Sequence, residues 1–234
     1  MKLILYTHTD YKDVWKMFFN QSDKYLGNIE KIIFVNKFDE AIPNEYHKVF
    51  YDEKLNYTKR VVQCLNQIES DVVLFLHEDM ILFDTPDYEK INKFIELTKN
   101  NATDFIKLIK VDSEDDQIQH YSNLIKTPKH LMFSVQPTIC NSDKLKKIFD
   151  LFNCDIWNFE KQVSSACLHF EYNNCFMAST SLDKKRGLHH YDSNIFPYIA
   201  TAIVKGKWNY SQYKNELDIL FDMYKINKME RGVF

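Results

Sequence analysis

The sequence predicts an α/β protein: a mixed, mainly parallel sheet flanked by helices, in one domain over residues 1–234. Three observations lead there. Runs such as "KLILY", "KIIFV" and "VVLFL" are apolar at every position, as strands buried on both faces are. Segments with apolar residues at helical spacing alternate with them. The 234 residues, 45% hydrophobic and 15% aromatic, suffice for a large core.

The elements follow in order. "KLILY" is the first strand. "TDYKDVWKMFFNQSDKYL" is a helix, with Val14, Met17, Phe18, Tyr25 and Leu26 recurring at its period. "KIIFVN" and "HKVFYD" are two further strands. "NYTKRVVQCLNQIES" is a helix capped by Asn56, with Val61, Leu65 and Ile68 on one face. It leads into the strand "VVLFLHEDM". Pro86 opens a helix that turns Tyr88, Ile91, Phe94 and Ile95 inward. "FIKLIKV" and "HYSNLI" read as strands around the acidic turn "DSEDDQ", and "FSVQPTIC" as another. Asn141 or Ser142 caps the helix "NSDKLKKIFDLF". An amphipathic helix, "WNFEKQVSSACLHFEY", and a last helix within 209–226 complete the chain.

Charge and cysteines exclude several classes. Thirty basic and 33 acidic residues give a net charge of −3, against a nucleic-acid coat or a polybasic membrane patch. The five cysteines, Cys64, Cys140, Cys154, Cys167 and Cys175, form no C-x-x-C and are odd in number. They suggest reduced thiols rather than a disulfide or zinc framework. No stretch is apolar for long enough to span a membrane, and "MKLILYTHTD" reads as a strand rather than a signal peptide. The expectation is a cytoplasmic protein, compatible with peripheral membrane contact. The oligomeric state is not legible.

Polar residues of useful kinds follow three of the strands: Thr7, His8, Thr9 and Asp10; Asn36 and Lys37; His77, Glu78 and Asp79. In an open α/β sheet, ligands bind outside the carboxyl ends of the strands. Each group taken singly also marks where a strand stops. The adjacent Glu78 and Asp79 say more, because neighbouring carboxylates repel unless solvated or cation-bound. Hard oxygen ligands suit Mg²⁺ or Mn²⁺. A second constellation lies late. His189 and His190 follow Gly187, and Lys205 and Lys207 flank Gly206. An imidazole there could complete a metal shell begun by Asp79, and the lysines could meet phosphates. A solvated basic loop is the plainer alternative.

The chain resembles the GT-A glycosyltransferases, a Rossmann-like fold that uses sugar nucleotides. Four stretches carry the resemblance: "ILYTHTD"; the helix "YTKRVVQCLNQIESD" running into "VVLFLHEDM"; "NFEKQ"; and "LHHYDSN" followed by "KGKW". The family's acidic motif is Asp-x-Asp, and the same positions here read His77-Glu78-Asp79. The resemblance implies a nucleotide-sugar-binding half over 1–110 and an acceptor-binding half with a flexible basic loop over 111–234. It implies a nucleoside-diphosphate sugar as donor, a glycan, lipid-linked glycan or protein hydroxyl as acceptor, and Mn²⁺ or Mg²⁺ as cofactor. Asp79 would be the main metal ligand, with Glu78 beside it and His190 or His189 as the late ligand. Thr7, His8, Thr9, Asn36, Lys37, Arg60, His77, Glu78, Lys205 and Lys207 would hold the donor. Glu160, beside Trp157 and Phe159, would be the base of an inverting transfer, the two rings offering stacking surfaces and excluding water. The plainer reading of Glu160 is an acid favoured near a helix start. Two other functions fit the same residues. A nucleotidyltransferase would normally carry a Gly-rich phosphate loop, which "YTHTDYK" lacks. A non-catalytic binding module would fit the loss of the first Asp at His77.

Overall fold

The computed structural model describes residues 1–112, 121, 123–187 and 190–234. In chain order its strands and helices are β1 (Lys2–Tyr6), α1 (Lys12–Leu26), β2 (Glu30–Val35), β3 (Tyr46–Phe50), α2 (Tyr57–Leu65), β4 (Val72–His77), β5 (Ile81–Leu82), α3 (Tyr88–Lys99), β6 (Phe105–Lys107), β7 (Leu124–Lys126), β8 (Thr138–Asn141), α4 (Ser142–Asp150), α5 (Ile156–His169), β9 (Cys175–Ala178), β10 (Lys185–Arg186), β11 (His190–Tyr191), β12 (Tyr198–Ile199), β13 (Ile203–Val204), β14 (Lys207–Trp208), α6 (Tyr210–Tyr224) and α7 (Lys228–Arg231).

One eight-stranded sheet runs β3-β2-β1-β4-β8-β6-β9-β7. β1 to β4 are mutually parallel, β8 is antiparallel to both its neighbours, and β6 and β9 are parallel. This is the mixed, mainly parallel sheet that the unbroken apolar runs predict. Residues 3–5, 32–35 and 72–76 are buried without alternation, so helices cover both faces. α1 and α3 pack on one face, and α2, α4 and α5 pack together on the other.

The register decides what the sheet presents. Tyr6 pairs with Phe34 on one side and His77 on the other, and Val35 pairs with Phe50. The four parallel strands therefore finish in one row. Residues 7–9, 36–37, 51–56 and 78–79 all leave the sheet along that edge.

Local chemistry explains most boundaries. α1 buries Val14, Trp15, Met17, Phe18 and Phe19, and burial of each such side chain contributes roughly 1.5–3 kcal/mol. α2 stops at Leu65, so Ile68 packs on the core from beyond the helix. Asn56 stands at its N-cap but bonds Asn153 Oδ1 at 3.1 Å rather than the helix backbone. α3 is capped by Asp87, and Tyr88 is 46% exposed rather than inward. The stretch "FSVQPTIC" forms a strand only from Thr138, because Pro137 has no N–H for the ladder. Beyond Asp112, "DSEDDQ" lies outside the described residues, as do His120 and Ser122 of "HYSNLI". Residues 205–207, expected as a flexible loop, belong to a two-residue hairpin between β13 and β14. Lys205 and Gly206 have φ of 50° and 75° there, the sign pattern of a type I′ turn. Among the described residues, no helix is long and apolar enough to cross a membrane.

Asn141 ends β8 and caps α4, accepting from the N–H groups of Asp143 and Lys144 at 2.9 and 3.2 Å. Asn141→Ala should therefore cost about 1 kcal/mol, read as a lower urea midpoint with an unchanged m-value.

Candidate functional site

β4 ends against the row of strand termini, and the chain turns at once. Met80 N–H donates to the His77 carbonyl, and β5 pairs antiparallel with β12. Glu78 and Asp79 are held in that turn. Glu78 is 7% exposed and Asp79 is half-buried. Burial raises both carboxyl pKa values, and for Glu78 the charge of Asp79 adds to the rise. The Thr7 hydroxyl opposes the rise at Glu78, and the Ile203 N–H opposes it at Asp79. The Asp79 carbonyl also accepts from Ala202 N–H at 2.9 Å. The carboxylates are thus fixed by β1 on one side and by the start of the 203–208 hairpin on the other.

The pair is a donor set with identifiable chemistry. Two adjacent carboxylates offer hard oxygen ligands, and their repulsion is relieved when a cation arrives. Among the described residues, no group of three or more His, Cys, Asp or Glu side chains is placed to hold a metal. Such a pair suits Mg²⁺ or Mn²⁺, which take one or two carboxylates and complete their shell with water and substrate phosphate. His190 does not complete a three-ligand group there. β11 pairs with β10, and the His190 Nε2 lies 2.9 Å from the hydroxyl of Tyr213 on α6. His189 lies outside the described residues.

The remaining expected residues divide by role. Thr7 is 1% exposed, so it braces the site from beneath. Its hydroxyl accepts from the Trp15 indole at 2.8 Å and favours the ionised form of Glu78, and its carbonyl accepts from Tyr51 at 2.8 Å. His8 Nδ1 accepts from Asp10 N–H at 3.1 Å. That bond leaves Nε2 as the protonated nitrogen, donating to Glu53 at 2.8 Å. Asn36 ties β2 to β1: its Oδ1 accepts from Thr9 N–H at 3.0 Å and its Nδ2 donates to Thr9 Oγ1 at 3.1 Å. Lys37 is exposed beside them. Arg60 lies over the Tyr51 ring, 5.4 Å from its centroid, and donates to the carbonyls of Glu53 and Leu55. It folds the 53–55 loop back over the strand ends. Lys205 and Lys207 are exposed at the hairpin tip.

An aromatic floor joins this edge to Glu160. Tyr6 stacks on Tyr51 at 5.2 Å and meets Tyr57 edge-on at 5.0 Å. The Tyr57 hydroxyl is 3.0 Å from His77 Nε2. Desolvation pushes His77 down to about 3, so its imidazole is neutral. The Glu160 charge reaches Tyr57 and raises its pKa, behind desolvation and Tyr6 in effect. Glu160 accepts from Val135 N–H at 2.9 Å. Burial raises its own pKa, against the pull of that bond and of Lys107. Of its two aromatic neighbours, only Phe159 departs from the stacking role that the sequence suggests. Phe159 is fully buried and stacks on Phe149 at 4.2 Å, so it has no face for a ligand. Trp157 is 72% exposed.

Folding adds residues that the sequence reading passed over. Lys107 is fully buried, donates to the Leu131 carbonyl at 2.7 Å, and is pushed down to about 8 by desolvation. Tyr11 feels both carboxylates of the pair, its pKa raised first by burial and then by Glu78. Arg231 also reaches this corner. Its charge opposes the rise at Glu78 and Asp79, and its Nε donates to Asp13 at 2.7 Å. No local pattern around "MERGVF" signals it.

No protein-family model matches the chain, and no curated protein sequence does. Solved structures match it in fold. A cytidylyltransferase from Leptospira borgpetersenii is 11% identical, with a TM-score of 0.51 over 97% of this chain and 96% of that one. Residues 1–349 of S. aureus TarS are 13% identical, with a TM-score of 0.50 over 98% of this chain. The chain spans 66% of that fragment and 39% of a longer TarS structure. The shared feature is the GT-A-like α/β architecture with its mainly parallel sheet.

The raised carboxyl pKa values set a pH dependence. Folding holds the protons of Glu78 and Asp79 more tightly, so their contribution is intact below the ordinary carboxylate range and is lost as pH rises through the raised values. His77 acts in the opposite sense between about 3 and its ordinary value, so a parent-minus-variant difference isolates the pair. Without divalent metal, Glu78→Gln and Asp79→Asn should gain melting temperature relative to the parent from about pH 5 to about pH 8. Mn²⁺ should narrow that gap by stabilising only the parent. Parallel melting curves at every pH would remove the pair's burial as a source of cost.

Proposed function

We propose that this chain is a glycosyltransferase that moves a sugar from a nucleoside-diphosphate sugar to a hydroxyl acceptor, with inversion and with a divalent cation at Asp79 and Glu78. The observation that carries the reading is the carboxylate pair, one buried and one half-buried, at the carboxyl edge of four parallel strands. Diphosphate leaving groups gather negative charge, which a divalent cation held by Glu78 and Asp79 would stabilise. The α/β fold that the chain shares with TarS 1–349 and the cytidylyltransferase is compatible with this reading.

In this reading Thr7 and the Ile203 N–H hold the carboxylates in place. Asn36, Thr9, His8 and Lys37 line the donor edge, while Arg60 secures the loop beside it. The neutral His77 occupies the motif position from which family members reach the ribose, and Tyr57 fixes its ring. Lys205 and Lys207 approach the phosphates from the hairpin. Glu160 accepts the proton of the acceptor hydroxyl. Its partly buried carboxylate has a raised pKa, the direction a general base needs near neutrality. The Val135 N–H orients it, and Trp157, one turn earlier on α5, offers a face to an acceptor sugar. The donor then rests mainly on 1–110 and the acceptor on 111–234, with the 203–208 hairpin crossing to the donor side.

A specific observation favours a second reading. The cytidylyltransferase neighbour is matched over nearly its whole length. A nucleotidyltransferase would use the same carboxylates on a nucleoside triphosphate and release pyrophosphate. A donor screen separates the two: melting shifts and turnover with nucleoside-diphosphate sugars against nucleoside triphosphates, each with and without Mn²⁺. UDP-GlcNAc, with which TarS 1–349 has been crystallised, is one donor to include. Transfer or slow hydrolysis of a sugar nucleotide supports the first reading. Pyrophosphate release from a triphosphate supports the second, and binding without turnover supports a binding module.

Two substitutions test the assigned roles. Asp79→Asn should remove most turnover and the Mn²⁺-linked stabilisation while the chain stays folded. Glu160→Gln should lower kcat by roughly 10²–10⁴ with the donor KM nearly intact, as for a group acting in the transition state. A fall in donor affinity at unchanged kcat would make Glu160 a binding residue instead.

A further inference from the structure

We propose that Arg231 binds the diphosphate of the nucleotide substrate, so that residues 227–234 form part of the donor site. This rests on the nucleotide-dependent reading above, and it holds for either leaving group, a nucleoside diphosphate or pyrophosphate.

Position comes first. Arg231 ends α7, and its side chain is 13% exposed. Its guanidinium lies 5.1 Å from the Tyr11 ring centroid and 5.8 Å from that of Trp208. Tyr11 directly follows the polar turn after β1, and Trp208 belongs to the hairpin that begins beside Asp79. The segment carrying Arg231 is itself fastened to that hairpin. Trp208 N–H donates to the Gly232 carbonyl at 3.0 Å, and Phe234 N–H donates to the Trp208 carbonyl at 2.8 Å. Arg231 is thus held over the corner where β1, the carboxylate turn and the hairpin meet.

Donor capacity comes second. A guanidinium has five N–H groups. Asp13 takes two of Arg231's, from Nε and Nη2, and the Gly206 carbonyl takes one from Nη1 at 3.2 Å. Two N–H groups remain. Asp13 fixes the plane of the fork, as binding a phosphate through two oxygens requires.

Charge comes third. Glu78 and Asp79 carry two negative charges when ionised, and a divalent cation neutralises them. A diphosphate then needs further positive charge. Lys205 and Lys207 stand exposed on the same hairpin, with the Lys205 ammonium 5.4 Å from the Phe234 ring centroid. Arg231 is a cation whose field already reaches both carboxylates.

The competing account is structural: Arg231 only staples its segment to Asp13. Calorimetric titration with inorganic pyrophosphate and Mn²⁺ separates the two. Arg231→Gln should weaken pyrophosphate about tenfold or more, the worth of a hydrogen bond to a charged group, and Arg231→Lys should fall between it and the parent. Should Arg231→Gln fail to fold, the unaltered chain decides. Pyrophosphate with Mn²⁺ should slow phenylglyoxal modification of Arg231, followed by peptide mass spectrometry. Affinity within about twofold of the parent in Arg231→Gln, or modification that pyrophosphate does not slow, overturns the proposal and leaves the nucleotide reading standing. Binding of nucleoside diphosphates without pyrophosphate does the same. A parent chain that takes up neither overturns both.

Discussion

Glu78 and Asp79 stand side by side where β4 leaves the sheet, one of them buried and the other half-buried. Removing two like charges from water is costly, and the surroundings are arranged around that cost. Trp15, locked in the core by α1, donates to Thr7, and Thr7 in turn meets Glu78. The hairpin after β12 gives its backbone to Asp79. Arg231 arrives from far along the chain and moderates both charges without pairing closely with either, because Asp13 holds its fork. The arrangement concentrates negative charge at the strand ends while the Arg231 guanidinium stays on another carboxylate, Asp13.

The same edge shows how the sheet divides labour. Parallel register brings four strand ends into one row, and each contributes a different group: a hydroxyl from β1, an amide from β2, a tyrosine after β3, an imidazole and two carboxylates from β4. The loop after β3 carries no regular structure, so Arg60 holds it through two carbonyls and the Tyr51 ring. Across the aromatic floor, Tyr57 links His77 to the neighbourhood of Glu160. The two carboxylate centres are therefore joined by packed rings, which exclude water and raise the proton affinity of both.

The fold was legible in the sequence because it rests on local signals. A strand buried on both faces must be apolar throughout, and "KLILY", "KIIFV" and "VVLFL" admit no other reading beside helices of 3.6 period. The motif "HEDM" was legible for the same reason: adjacent carboxylates after such a strand contradict burial and so stand out. Finer errors also have local causes. Pro137 shortened a strand, and Tyr88 turned outward to reach the Tyr25 carbonyl. Phe159 looked like a stacking surface because sequence position says nothing about which way a helical side chain faces until the neighbouring helices are known. Phe149, on α4, took that face.

By itself the sequence determined the parallel strands β1 to β4, the helices among them and the place where carboxylates gather, since each follows from the periodicity of neighbouring residues; β9, inside the same sheet, was not among its strands. Only the tertiary structure decided which distant residues lie around that place. His190, beside a suggestive glycine, went to Tyr213, because β11 pairs with β10 and turns toward α6. Arg231, in a stretch with no motif, came to the carboxylates, because Gly232 and Phe234 pair with Trp208 and Asp13 waits at the start of α1. Asp13 and Arg231 are 218 residues apart, and their meeting depends on the packing of the whole chain rather than on any pattern near either residue.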